Sequence, residues 1–223
     1  MLMIRAVLFD MDGLVLDTES RYEKALRQAG RMFGYEMTDT FLERARGVER
    51  SMFYDMIFRE FGQDFPARSY SQTYRKLFWD MAEKKGIRVK KGTKELTEYL
   101  METGIPFCLA TSNDRDTTQR LLKMAGIREL FEHIVCGDEV PRGKPYPDIY
   151  LKAAEQLNES AENCLVLEDS GNGIRAGYNA GCATCLVPDL QIPEDVAELC
   201  NIVIDDLLGV KKWLIRQRAG YLN

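Results

Sequence analysis

A chain of 223 residues, 45% hydrophobic and 29% charged, has the make-up of a globular protein: one large domain, or a domain with a smaller insert. A formal net charge of −5 and a pI near 5.2 exclude a basic footprint for nucleic acid, and no apolar run approaches the ~20 residues that span a bilayer. One histidine, His133, and no GxSxG motif leave little from which to build a serine or cysteine triad.

The chain opens with "MLMIRAVLF", which Arg5 interrupts. It is predicted as a strand over 4–10 and not as a signal peptide. The strand runs into "DMDGLVLDTES". Asp10 and Asp12, two positions apart, point to the same side of an extended chain. Their repulsion asks for a positive counter-charge, and burial sharpens the demand.

From about Thr18 to Lys85 no strand pattern is present. Tyr70, Tyr74, Leu77, Phe78 and Met81 share one helical face, and Met52, Phe53, Met56, Ile57 and Phe61 share another. Gly34, Gly47, Gly62 and Gly86 punctuate these helices. Such a block, set between the first strand and the next, predicts a helical cap over 18–88. The core is then 1–17 and 89–223, with crossings near Asp17 and near Gly86–Lys90.

Strand patterns resume at 105–111, 133–137, 164–168, 183–187 and 201–205. Amphipathic stretches such as "TKELTEYLMETG", "TTQRLLKMAGI" and "PDIYLKAAEQL" lie between them, the last opened by Pro147 at a favourable first-turn position. The alternation predicts an α/β fold, a mostly parallel, doubly wound sheet with helices on both faces. The basic run "KKWLIRQR" reads as the solvated face of a final helix. The six cysteines read as reduced thiols of a cytoplasmic protein, mostly in apolar segments. "CATC" at 182–185 has redox or zinc spacing, but no second pair completes a site.

Ligands of open α/β sheets sit beyond the carboxyl ends of the strands. The first strand delivers Asp10 and Asp12 there. "ATSND" delivers the hydroxyls of Thr111 and Ser112, then Asn113 and the N–H groups of a helix start, a natural anion site. "PRGKPYPD" carries Lys144 on a stiff loop, and "CLVLEDS" ends in Glu168 and Asp169. Four carboxylates facing one lysine need a further cation, and an all-oxygen set suits Mg²⁺. Metal and lysine would offset a phosphate bound beside Thr111, and one aspartate could act as nucleophile while the other works as acid and base.

"DMDGLVLDTE", "ATSND", "GKPYPDIYLKAA" and "CLVLEDSGNGIRAGYNAG" resemble the four motifs of the haloacid dehalogenase superfamily, closest to its subgroup of β-phosphoglucomutase and sugar-phosphate phosphatases. The resemblance implies a Rossmann-like core with an inserted helical cap, and phosphoryl transfer through an aspartyl-phosphate. It implies Asp10 as nucleophile and Asp12 as general acid/base, with Thr111, Ser112, Asn113 and Lys144 at the phosphate. Mg²⁺ would be held by Asp10, the Asp12 backbone carbonyl and Asp169, with Glu168 close by. The implied partner is a small phosphorylated metabolite, with no nucleic acid, no membrane and a monomeric chain.

Two positions pull apart. The mutase pattern carries histidine where this chain has Tyr22, which favours a phosphatase. "RGVERS" resembles the mutase loop in which an arginine aligned with Arg50 grips the phosphate that is not transferred. Two other readings compete. "GNGIRAG" is a near miss of the dinucleotide fingerprint, though Glu168 and Asp169 before it would repel a pyrophosphate. A non-catalytic binding protein could also share the fold.

Overall fold

The computed structural model describes residues 4–45, 48, 50–189 and 194–221, without the side chains of 50, 51, 194, 195 and 219–221. Strands β1 (Ala6–Phe9), β2 (Phe107–Thr111), β3 (His133–Cys136), β4 (Cys164–Glu168), β5 (Ala183–Leu186) and β6 (Ile202–Val203) form one sheet. Among the described residues its order is β3-β2-β1-β4-β5-β6, and every neighbouring pair is parallel. β1 is central because "AVLF" is apolar on both faces, the composition of a strand covered from two sides. The chain winds outward from β1 to β3, then returns to lay β4 on the other flank of β1. That reversal brings the carboxyl ends of β1, β2 and β4 side by side.

Alternate residues of each strand enter two cores. On one face Phe9, Leu109 and Leu167 pack with helices α5 (Thr93–Glu102) and α9 (Leu207–Tyr221), through Leu100, Val210 and Leu214. On the other, Leu8, Ala110 and Val166 pack with helices α7 (Asp148–Gln156) and α8 (Gly171–Asn179), through Tyr150, Ala153 and Ala176. Lys212 and Arg216 face outward on α9, as a solvated face requires.

Between β1 and β2 stand α1 (Glu19–Met32), α2 (Asp39–Ala45), α3 (Arg50–Phe61) and α4 (Ala67–Lys85). They form the helical cap, with a core of its own in which Phe41, Ile57, Phe65 and Tyr70 are buried. Of the predicted faces, Tyr70 and Phe78 are fully buried and Tyr74, Leu77 and Met81 half-buried. The two crossings are tied together: Asp17 N–H donates to Arg88 O at 2.9 Å, Lys90 N–H to Val15 O at 2.9 Å, and Leu16 bridges Val89.

The outermost strand is shorter than predicted, two residues against five, because the charged Asp205 and Asp206 turn the chain into α9. All six thiols are free, and burial pushes those of Cys182 and Cys185 up to about 12, which leaves "CATC" without a nucleophile at neutral pH. His133 opens β3, half-buried. No helix of the described residues is long and apolar enough to cross a membrane.

Candidate active site

β1 ends at Phe9, and Asp10 N–H still donates to Leu167 O at 3.0 Å. The chain then turns sharply, with Leu16 N–H donating to Met11 O and Gly13 N–H to Leu16 O. Gly13 sits at φ +82°, and a Cβ there would strike the Asp169 carboxylate. Only glycine lets the turn after β1 pass so close to the end of β4.

Asp10, Glu168 and Asp169 offer oxygens that all lie within 4.8 Å of one another, and all three residues are buried. Lys144, 1% exposed, reaches them from the loop after β3. Its ammonium pairs with Asp10, donates to Glu168 Oε1 at 2.6 Å, and donates to Ala110 O at 3.3 Å. Glu168 is further held by the Tyr150 hydroxyl at 2.6 Å and by the N–H and Oγ–H of Ser170 at 3.2 and 3.0 Å. Asp169 is different. It is 8% exposed, yet it takes no hydrogen bond and no ion pair among the described residues.

Burial pushes the Asp169 carboxyl well above the usual carboxylate range, and the charges of Glu168 and Asp10 push it further. Burial likewise raises Asp10 strongly, although Lys144 beside it pulls the other way. For Lys144, burial works against the charge, but Asp10 and Glu168 outweigh it and the net displacement is upward. One lysine against three buried carboxylates leaves negative charge uncompensated. The orphan carboxylate of Asp169 and the all-oxygen donor set fit a hard divalent cation.

Asp12 stands apart from this cluster. Its Oδ1 accepts from the Thr18 hydroxyl at 2.6 Å and its Oδ2 from the Asn113 side-chain amide at 2.5 Å. Both side-chain oxygens of Asp12 are thus engaged by donors outside the carboxylate cluster. Burial raises the Asp12 carboxyl, and the donors from Thr18 and Asn113 only partly offset that. Thr111, fully buried, accepts from Asn113 N–H at 3.2 Å. α6 (Arg115–Met124) begins two residues after Asn113, capped by Asp114, whose side chain accepts from Thr117 N–H at 2.8 Å.

A cavity of about 310 Å³ opens between core and cap, with Asp12, Ser112 and Asn113 at one end and Tyr22, Tyr74 and Trp79 along the cap side. The side chain of Arg50 lies outside the described residues. Three contributors inside the motif stretches have contacts that the sequence alone does not assign: Thr18, Tyr150 and Ser170, each hydrogen-bonded to a motif carboxylate. The glycines of "GNGIRAG" serve packing: a Cβ at Gly173 would strike the Glu168 carboxylate, and one at Gly177 would press Val166 and Thr184 at 3.1 Å.

A parallel sheet carrying a buried aspartate–lysine pair and an acidic metal-type cluster beneath a helical cap fits a hydrolytic enzyme of the α/β class. Residues 4–181 match the family model of the haloacid dehalogenase-like hydrolases, and the chain belongs to that family. It is 32% identical over 211 residues to the "Probable pseudouridine-5'-phosphatase" of Drosophila melanogaster, covering 91% of this chain and 90% of the relative. It is also 32% identical over 183 residues to the phosphorylated carbohydrates phosphatase of Thermotoga maritima, covering 80% and 82%. The crystal structure of β-phosphoglucomutase from Clostridium difficile superposes with a TM-score of 0.83 over 99% of both chains, at 21% identity, a likeness of fold alone.

Proposed function

We propose that this enzyme is a Mg²⁺-dependent phosphatase that hydrolyses a small phosphorylated metabolite, a sugar phosphate or similar ester, in the cytoplasm as a monomer. The observation that carries the reading is the buried Asp10–Lys144–Glu168–Asp169 cluster, opening beside Asp12 onto the cavity under the cap. The names of the two relatives, both phosphatases of small phosphate esters, support it.

In this mechanism the phosphate lies beside Thr111, Ser112 and Lys144, with its leaving oxygen towards Asp12. Lys144 opposes its negative charge. Asp10 attacks phosphorus in line; its bond to phosphorus forms as the ester P–O bond breaks. Asp12, whose raised carboxyl favours the protonated form, gives its proton to the departing oxygen. Thr18 and Asn113 hold Asp12 in place for this transfer. Water then attacks the aspartyl-phosphate, Asp12 takes its proton, and Asp10 leaves as a carboxylate with inorganic phosphate as product. Mg²⁺ held by Asp10, Asp169 and the Asp12 carbonyl, with Glu168 close by, would add positive charge against the phosphate oxygens.

Chelation tests the reading. Phosphate release from phenyl phosphate should vanish in excess EDTA and return with Mg²⁺, and Asp169→Ala should raise the Mg²⁺ concentration required. Full turnover in excess chelator contradicts it.

A further inference from the structure

Tyr22 is among the polar groups on the cap side of the cavity that the mechanism above does not use. Tyr22 lies on the first turn of α1, and its ring is stacked on Phe78 of α4, with centroids 3.9 Å apart and planes 10° from parallel. Phe78 is 1% exposed and packs with Tyr22 against the core that Phe9 and Leu109 share, so the stack fixes the tyrosine ring while its edge reaches the cavity that Asp12 also lines. The Tyr22 hydroxyl makes no hydrogen bond among the described residues. Three of the groups that share this wall are already engaged. Both oxygens of Asp12 are taken by Thr18 and Asn113, the Asn113 amide is committed to Asp12, and Glu23 is paired with Arg27 at 2.9 Å.

A phenol fixed by stacking, and left unpaired at the wall of a cavity, is prepared for a ligand's polar group. It can both donate and accept one hydrogen bond, which matches an alcohol. Burial holds its proton firmly, so it stays a neutral donor.

We propose, resting on the phosphatase reading, that Tyr22 is a specificity residue that binds a hydroxyl group on the leaving-group side of the substrate. The preferred substrates are then hydroxyl-bearing phosphate esters rather than plain alkyl esters.

The test compares matched substrates. Glycerol 3-phosphate and propyl phosphate share a three-carbon chain and differ in hydroxyls, as do the best hydroxylated ester of a wider panel and its deoxy analogue. The wild-type enzyme should favour the hydroxylated member of each pair in kcat/KM. Tyr22→Phe keeps the ring stacked and removes only the oxygen. It should lower kcat/KM for the hydroxylated member on the order of 3–10-fold more than for its partner, mostly through KM, the scale of one neutral hydrogen bond. An equal loss on both members, or a wild-type enzyme without preference for the hydroxylated ester, overturns the assignment. Phenyl phosphate separates the two claims. Mg²⁺-dependent turnover of it without any hydroxyl preference sinks the Tyr22 proposal and leaves the phosphatase reading standing, whereas no turnover of any ester sinks the phosphatase reading itself.

Discussion

Replacing Lys144 by methionine should cripple the enzyme and also loosen its fold, because one ammonium holds together the ends of three strands. Lys144 is 1% exposed, and it touches Asp10 after β1, the Ala110 carbonyl of β2 and Glu168 of β4. Methionine fills much of the same space but leaves two buried carboxylates without their cation. Breaking a buried ion pair from one side costs about 3–5 kcal/mol. For a chain of this size, 1 kcal/mol moves the melting temperature by roughly 2–4 °C, so Tm should fall by about 6–20 °C. Losing a fixed positive charge at the phosphate should also lower kcat by on the order of 10²–10³. The sign of the pH effect follows from linkage. Without Lys144, the folded carboxylates bind protons more tightly than the unfolded ones, so the variant's stability relative to wild type is lost as pH rises and regained as pH falls below neutrality. The assay is thermal unfolding of both proteins in EDTA across that pH range, with phosphate release measured alongside in Mg²⁺. A Tm within about 2 °C of wild type at neutral pH would refute the claim that Lys144 is the cluster's internal counter-charge.

Asp12→Ala should lower kcat by on the order of 10²–10⁴, and by less for aryl than for alkyl phosphates, since a good leaving group needs less protonation; equal losses would count against the leaving-group role. Asp206 caps α9 through Gly209 N–H at 2.7 Å, and its hydrogen bond to Lys91 holds its carboxyl below the usual range. Asp206→Ala should therefore cost about 1 kcal/mol at neutral pH. A depressed carboxyl stabilises above its unfolded pKa of ~3.9, so the difference should shrink as pH falls through and below that value, which thermal melts at several pH values can follow. With β-glucose 1-phosphate and a trace of the 1,6-bisphosphate, free phosphate should appear faster than glucose 6-phosphate, because Tyr22 cannot take up a proton at neutral pH as histidine can; the reverse order would favour a mutase.

Residues that close a strand were readable because their chemistry sits at a change of pattern. "CLVLE" is a buried run ending in charge, and β4 spans Cys164–Glu168 as expected. Asp10, Thr111 and Lys144 follow from the same logic, each beside the end of a separate strand. The cap faces were readable from helical spacing, since Phe53, Ile57, Tyr70 and Phe78 are the residues that become buried. What escaped depends on tertiary approach. Tyr150 reads as one more apolar position on α7, and only the packing of that helix under β4 brings its hydroxyl to Glu168. Thr18 looks like a helix N-cap, yet its side chain caps nothing and holds Asp12 instead. Asn113 and Asp12 meet across 101 positions of chain, a distance over which spacing carries no information.

The central claim is that Asp10 carries the phosphoryl group, and it can be tested by trapping. Asp12→Asn with phenyl phosphate allows the first transfer, because phenolate leaves without much help, but removes the base that activates water for the second. After an acid quench in Mg²⁺, mass spectrometry of the proteolysed variant should find phosphate on the peptide containing Asp10, and Asp10→Asn should neither label nor turn over. Phosphate bound at another residue, or sustained turnover by Asp10→Asn with contamination excluded, would contradict the account.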